Sequence, residues 1–217
     1  QGYSSAASDV YKRQVSLKPV IEELENLFSK FNARFFADKL EKPVITVSPD
    51  HTRGAYGWCT AWKAWQDGNK EGGYYEINLC AEYLNRPFEE TCGTLIHEMV
   101  HLQNLQDGVQ DTSRSGTYHN KKFKETAEAH GLTVEKGEKY GWHKTALSPE
   151  ALEFVQSLGK QGFTLVRPRP IGLKGSSKGG GSSSRKYVCP CCGAIIRATK
   201  EVHVICADCD CEFQEEI

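Results

Sequence analysis

Thr94-Leu95-Ile96-His97-Glu98-Met99-Val100-His101 reads H-E-x-x-H inside an apolar run with helical spacing. On an α-helix, His97 and His101 lie one turn apart on the same face. Two imidazoles so placed can grip one Zn²⁺, and Glu98 on the neighbouring face can reach a water beside it. Thr94, Leu95, Met99, Val100 and Leu102 surround the trio. Polar groups in such apolar surroundings need partners, and a metal supplies one.

A catalytic zinc takes three protein ligands and keeps one position open. The helix provides two. Downstream candidates for the third are His119, Glu125 and Glu128, Asp107 and Asp111, and His130 and His143. His119 is favoured: imidazole is a common ligand, and the residue is read as heading the next helix, facing back toward the first pair. The ion would acidify its water and polarise a scissile carbonyl. Glu98 would then be the general base, handing its proton to the leaving amine, and not a ligand.

Working outward, Leu17, Val20, Ile21, Leu24, Leu27, Phe28, Phe31 and Phe35 recur at steps of three and four. They predict an amphipathic helix with Ser16 as its cap and Pro19 in its first turn, ending near Asp38 to Lys42. Val44 to Ser48 is β-branched and reads as a strand. Gly54 to Trp65 and Tyr74 to Leu79 are expected to be two more strands, with Trp58, Trp62 and Trp65 packing on the sheet. The H-E-x-x-H helix is expected from Pro87 to about Asp107, with Gly108 as its stop. His119 to His130 reads as helix, Leu132 to Val134 as extended, and Pro149 to Leu158 as helix.

Near the C-terminus stand two C-x-x-C pairs, Cys189/Cys192 and Cys206/Cys209, with 13 residues between them. Four thiolates at this spacing build a closed, structural Zn²⁺ site, a zinc ribbon. About 30 residues cannot form a sufficient apolar core, so metal should hold the module folded. Cys191 and Cys211 are surplus and could replace members of the set in a shifted register. The implied inventory is two zinc ions, one catalytic and one structural.

The chain has 217 residues and a net charge of −1, which conceals an asymmetry. No Asp or Glu occurs from Phe154 to Lys200, whereas nine Lys and Arg do. A basic stretch on an acidic body suggests an anionic partner such as nucleic acid. Lys186, Tyr187, Arg197 and Lys200 offer charge and a stacking ring for single strands. Six of the nine cysteines crowd the last 29 residues. Clustered pairs of this kind favour metal over disulfides, and so a reducing, cytoplasmic setting. No apolar run reaches the ~18 residues that span a bilayer. The expected organisation is a disordered leader over residues 1–14, a catalytic domain over 15–166, a flexible basic linker over 167–186 rich in Pro, Gly and Ser, and the ribbon over 187–217.

Phe31-Asn32 with Phe35-Phe36 and Leu40, a strand, H-E-M-V-H, and then His119 with Phe123 four residues on resemble the SprT-like zinc metalloproteases, the group that includes Spartan. The C-terminal ribbon resembles the one appended to many members. The resemblance implies an α+β, zincin-like domain with a small antiparallel or mixed sheet. It implies zinc on His97, His101 and His119, with Glu98 as the catalytic glutamate. It also implies cleavage of proteins associated with or crosslinked to DNA, here in a member closer to short microbial or phage forms. Trp142 and His143 match no motif. A rival reading is a non-catalytic, zinc-stabilised protein that binds nucleic acid or regulates, although Glu98 would then have no duty.

Overall fold

A computed structural model of the chain describes residues 15–50, 54–68, 72–160, 162–168 and 185–216. The expected leader (1–14) and most of the expected linker (169–184) lie outside the described residues. The chain divides into two units between Arg169 and Pro170.

The first unit is α+β. Helix α1 (Lys18–Phe35) buries Val20, Leu24, Leu27, Phe28 and Phe31, the stripe that its apolar spacing requires. Leu17 is the capping position, while the Ser16 hydroxyl accepts from the Lys18 N–H at 3.1 Å. The helix stops earlier than its pattern suggests, because Ala37 and Asp38 adopt left-handed backbone at φ 52° and 57°. Asn32 then ties off the turn, its amide bonding both backbone groups of Leu40 at 3.1 Å.

Strands β1 (Val44–Ser48), β2 (Gly57–Cys59) and β3 (Glu76–Cys80) form a mixed sheet in the order β1-β3-β2. β1 runs parallel to β3, and β2 antiparallel to it with Trp58 opposite Asn78. The expected long strand over 54–65 is thus only three residues, followed by one isolated bridge between Trp65 and Tyr74. The tryptophans do not all pack as expected. Trp62 and Trp65 are 67% and 45% exposed, because the chain leaves the sheet before reaching them.

After a short 3-10 turn at Ala81–Tyr83 comes helix α2 (Phe88–Gln106), which carries the H-E-x-x-H. Pro87 caps it, Glu89 and Glu90 sit at its positive end, and Gly108 at φ 65° ends it. Leu95, Ile96, Met99, Val100 and Leu102 are fully buried. Each such side chain contributes about 1.5–3 kcal/mol on leaving water, which makes α2 the central strut of the unit.

Strands β4 (Thr112–Ser113) and β5 (Tyr118–His119) precede helix α3 (Lys121–Ala129). Strands β6 (Leu132–Gly137) and β7 (Gly141–Leu147) follow, and then helix α4 (Pro149–Ser157). The second sheet has the order β4-β5-β7-β6. α2 touches α1, α3, α4, β2, β3, β6 and β7. No helix among the described residues is long and apolar enough to cross a membrane.

The second unit contains β8 (Arg185–Val188), β9 (Ile195–Ala198), β10 (Ile205–Cys206), β11 (Cys211–Glu212) and β12 (Gln214–Glu216). They form a three-stranded sheet, β12-β8-β9, and a two-stranded ribbon, β10-β11. Among its described residues only Tyr187, Cys189 and Cys206 are buried. So small a core cannot stabilise the unit unaided.

Candidate metal centre

Helix α2 holds His97 and His101 one turn apart, and His119 approaches from β5. The Nε2 of His119 lies 3.2 Å from that of His97 and 3.1 Å from that of His101. The structure therefore brings these three together, but not as expected in detail. His119 belongs to a strand and not to the head of the next helix. Asn120 is the cap of α3, its side chain accepting from the N–H groups of Lys122 and Phe123, and that fixes the helix start beyond His119.

Three ring nitrogens this close cannot satisfy one another. The Nδ1 of His101 sits 2.7 Å from Oδ2 of Asp111, and the Nδ1 of His97 3.0 Å from the Thr145 hydroxyl. With the Nδ1 protons donated there, both Nε2 atoms present lone pairs inward. An Nε2 proton on His119 could serve only one of them, and its own buried Nδ1 has no hydrogen-bond partner. A shared cation resolves the conflict. Four-coordinate zinc at Zn–N of about 2.0–2.1 Å sets neighbouring nitrogens roughly 3.3 Å apart, so the donor set and its spacing fit zinc. All three rings are only partly buried, which leaves a solvent-facing position.

The surroundings tune these groups. Burial opposes charge on His101, but the Asp111 hydrogen bond and the Glu98 charge outweigh it and raise its pKa. Burial likewise opposes ionisation of Asp111, yet bonds from His101 and Asn104 hold its carboxyl below the usual range. Burial pulls His97 well down and His119 to about 4, so both are neutral at pH 7, as metal ligation requires. Phe123, fully buried, floors the site: its ring centre is 4.5–4.7 Å from those of all three histidines.

Glu98 is buried at 5% exposure beside the trio. Burial pushes its carboxyl up to about 7, and the Cys59 backbone N–H bonds to it. Strand β2 can approach so closely because residue 57 is glycine. A Cβ there would stand 2.7 Å from the Asn78 carbonyl oxygen and 3.2 Å from Oε1 of Glu98.

The remaining candidate ligands are placed elsewhere. Glu125 and Glu128 are exposed on α3. Asp107 pairs with Gln103. His130 stacks on Phe36 at 4.5 Å and bonds the Thr126 carbonyl. His143 bonds the Gly141 carbonyl at 3.2 Å, and Trp142 lies under the Lys124 ammonium at 4.5 Å. Asp111, considered a possible ligand, bonds the Nδ1 of His101 instead of joining the three ring nitrogens. The supports that the sequence did not reveal are Asn104, Thr126, Thr145, Gly57 and Gly141. Thr126 donates to Asn104 at 2.8 Å, and Asn104 to Asp111 at 2.9 Å. Asn104, a polar residue among the buried positions of α2, is the visible signal for this chain.

In the second unit, the sulfurs of Cys189, Cys192, Cys206 and Cys209 lie within 4.8 Å of one another. Two turns bring them together, with Gly193 N–H bonding the Cys189 carbonyl at 2.9 Å and Asp210 N–H that of Cys206 at 2.8 Å. Cys192 and Cys206 are 3.8 Å apart, the spacing of roughly 3.8 Å that tetrahedral zinc with Zn–S of about 2.3 Å imposes. Tyr187, expected to offer a stacking face, is 3% exposed, and its hydroxyl accepts from Val202 N–H. Lys186 is ion-paired with Glu216.

The SprT-like family model matches residues 24–139, the span from α1 through the third histidine into the β6–β7 hairpin. No curated protein and no solved structure matches the chain.

Proposed function

The chain belongs to the SprT-like family, and from that premise we propose that it is a zinc-dependent endopeptidase acting on DNA-associated or DNA-crosslinked proteins. The observation that carries the catalytic part is the convergence of three Nε2 atoms at 3.1–3.2 Å beside a buried glutamate. His97, His101 and His119 would hold zinc on a zincin-like domain over residues 15–166, and Cys189, Cys192, Cys206 and Cys209 a second, structural zinc. Bound at the histidines, zinc supplies Lewis acidity to the scissile carbonyl and to the attacking water.

The rest is done by the chain's own groups. An Oε of Glu98 takes the proton of the attacking water and delivers it to the departing amine. Without metal, burial raises the Glu98 carboxyl to about 7, and a bound cation beside it favours the ionised form that accepts the proton. The Cys59 N–H fixes the carboxylate. Asp111 and Thr145 hold two imidazoles with Nε2 inward. Strand β2 is the edge of its sheet, where an extended peptide can add as a further strand next to Glu98.

The DNA link rests on the basic stretch between Phe154 and Lys200, chiefly on its linker, since Tyr187 is buried and Lys186 is paired. The thiol-rich ribbon favours a reducing cytosol. The test is cleavage of a casein-type substrate, and self-cleavage, with and without single-stranded DNA. DNA-stimulated cleavage by the zinc-loaded protein supports the reading. Cleavage indifferent to DNA at low salt removes the DNA part, and no cleavage of any protein removes the peptidase part.

A further inference from the structure

The ribbon holds two cysteines that a four-thiolate site does not use. Cys211 lies on β11 directly opposite Cys206 in the β10–β11 register. The chain reaches it through Asp210, whose φ of 53° turns the backbone sharply after Cys209. That turn brings the sulfur of Cys211 within 3.3 Å of that of Cys189. Cys191, in the middle of the first knuckle, completes a second group, and the sulfurs of Cys189, Cys191 and Cys211 all lie within 4.8 Å of one another. The two groups share Cys189 and nothing else, so all six cysteines of the unit belong to one connected cluster.

We propose that Cys189, Cys191 and Cys211 form a second metal site in the ribbon, taking a soft, thiophilic cation that shares the Cys189 sulfur with the four-thiolate zinc. A thiolate has lone pairs enough to bridge two cations, and sulfur-only donors select soft ions. The sites differ in kind. The four-thiolate site is complete. The three-thiolate site has an open position, and Cys191 is exposed, so a cation can enter and leave from solvent. The buried Cys189, at 1% exposure, is the hinge between them. The ribbon would then respond to thiophilic metal through its outer site while the inner one keeps it folded. The inference rests on the four-thiolate reading of the ribbon, and the test separates the two.

The full-length protein, kept under a phosphine reductant so that no disulfide competes, is loaded with ¹¹³Cd²⁺ and observed by ¹¹³Cd NMR. The expected result is two resonances from sulfur-rich sites, coupled to each other through the Cys189 sulfur, besides that of the histidine site. Cys191→Ser, at an exposed side chain, should lower ribbon cadmium from two per chain to one and keep the four-sulfur resonance. Cys211→Ser should do the same. A single sulfur-rich resonance in the unaltered protein would overturn the second site, as would two that persist when Cys191 and Cys211 are both serine. Absence of any four-sulfur resonance would overturn the ribbon reading itself.

Discussion

The Nδ1 of His101 and the Oδ2 of Asp111 are 2.7 Å apart, and they come from opposite sides of the turn that ends α2. This contact fixes the His101 tautomer, directs Nε2 into the cluster, and makes the imidazole a better donor. Asn104 and Thr126 hold Asp111 in turn, so the last turn of α2, the following loop and α3 are joined by one chain of hydrogen bonds.

Asp111→Asn keeps the size and loses the charge. It should weaken zinc binding by about 10–100-fold, measured by competition with a chromogenic chelator. Unchanged affinity would mean that Asp111 does not position His101.

Gly141 allows β7 to lie against His119. Its φ is 73°, and a Cβ there would stand 2.2 Å from the His119 carbonyl oxygen. His119 N–H donates to the neighbouring Tyr140 carbonyl at 3.0 Å. Gly141→Ala must therefore shift β5, and with it the third imidazole. The expected outcome is a loss of zinc affinity greater than the loss of thermal stability explains. Gly108→Ala, which also sits at positive φ but meets nothing within 4 Å, serves as the control for backbone strain alone.

Much of this was legible in the sequence. The stripes of α1 and α2 follow from apolar residues at steps of three and four, and β1 from its β-branched run. The H-E-x-x-H announced its own geometry, because helical spacing alone places His97 and His101 together. β7 was not legible. Gly141-Trp142-His143-Lys144-Thr145-Ala146-Leu147 lacks clean alternation, and its pairing with β5 is a single residue pair, His119 with Gly141, that only tertiary contact creates. Yet β7 positions two of the three histidines, Thr145 bonding His97 and Gly141 admitting His119. The support from Thr145 was hidden for the same reason: a hydrogen bond between residues 48 apart, His97 and Thr145, leaves no local pattern.

The Glu98 carboxyl gives a pH dependence whose sign is fixed. Without metal, burial raises it from 4.5 to about 7, so the folded state keeps a proton that the unfolded chain releases. Stability from this group is full below pH 4.5 and falls as pH rises to about 7. His97 and His119, lowered by burial, act in the opposite sense, so the comparison must be between the wild type and Glu98→Gln. In urea unfolding of the chelated proteins, the wild type should lose roughly 3 kcal/mol relative to the variant across that window. Parallel stability curves would contradict the buried, proton-holding state of Glu98.

The most direct measurement sets metal content and turnover side by side in Glu98→Gln. A group that moves protons but binds no metal should be dispensable for zinc and indispensable for cleavage. Zinc at the histidine site should equal that of the wild type, while peptide-bond cleavage falls at least about 100-fold, the lower range for a positioned general base. Cleavage at the wild-type rate by the zinc-loaded variant, or loss of histidine-site zinc along with activity, would contradict the role assigned to Glu98.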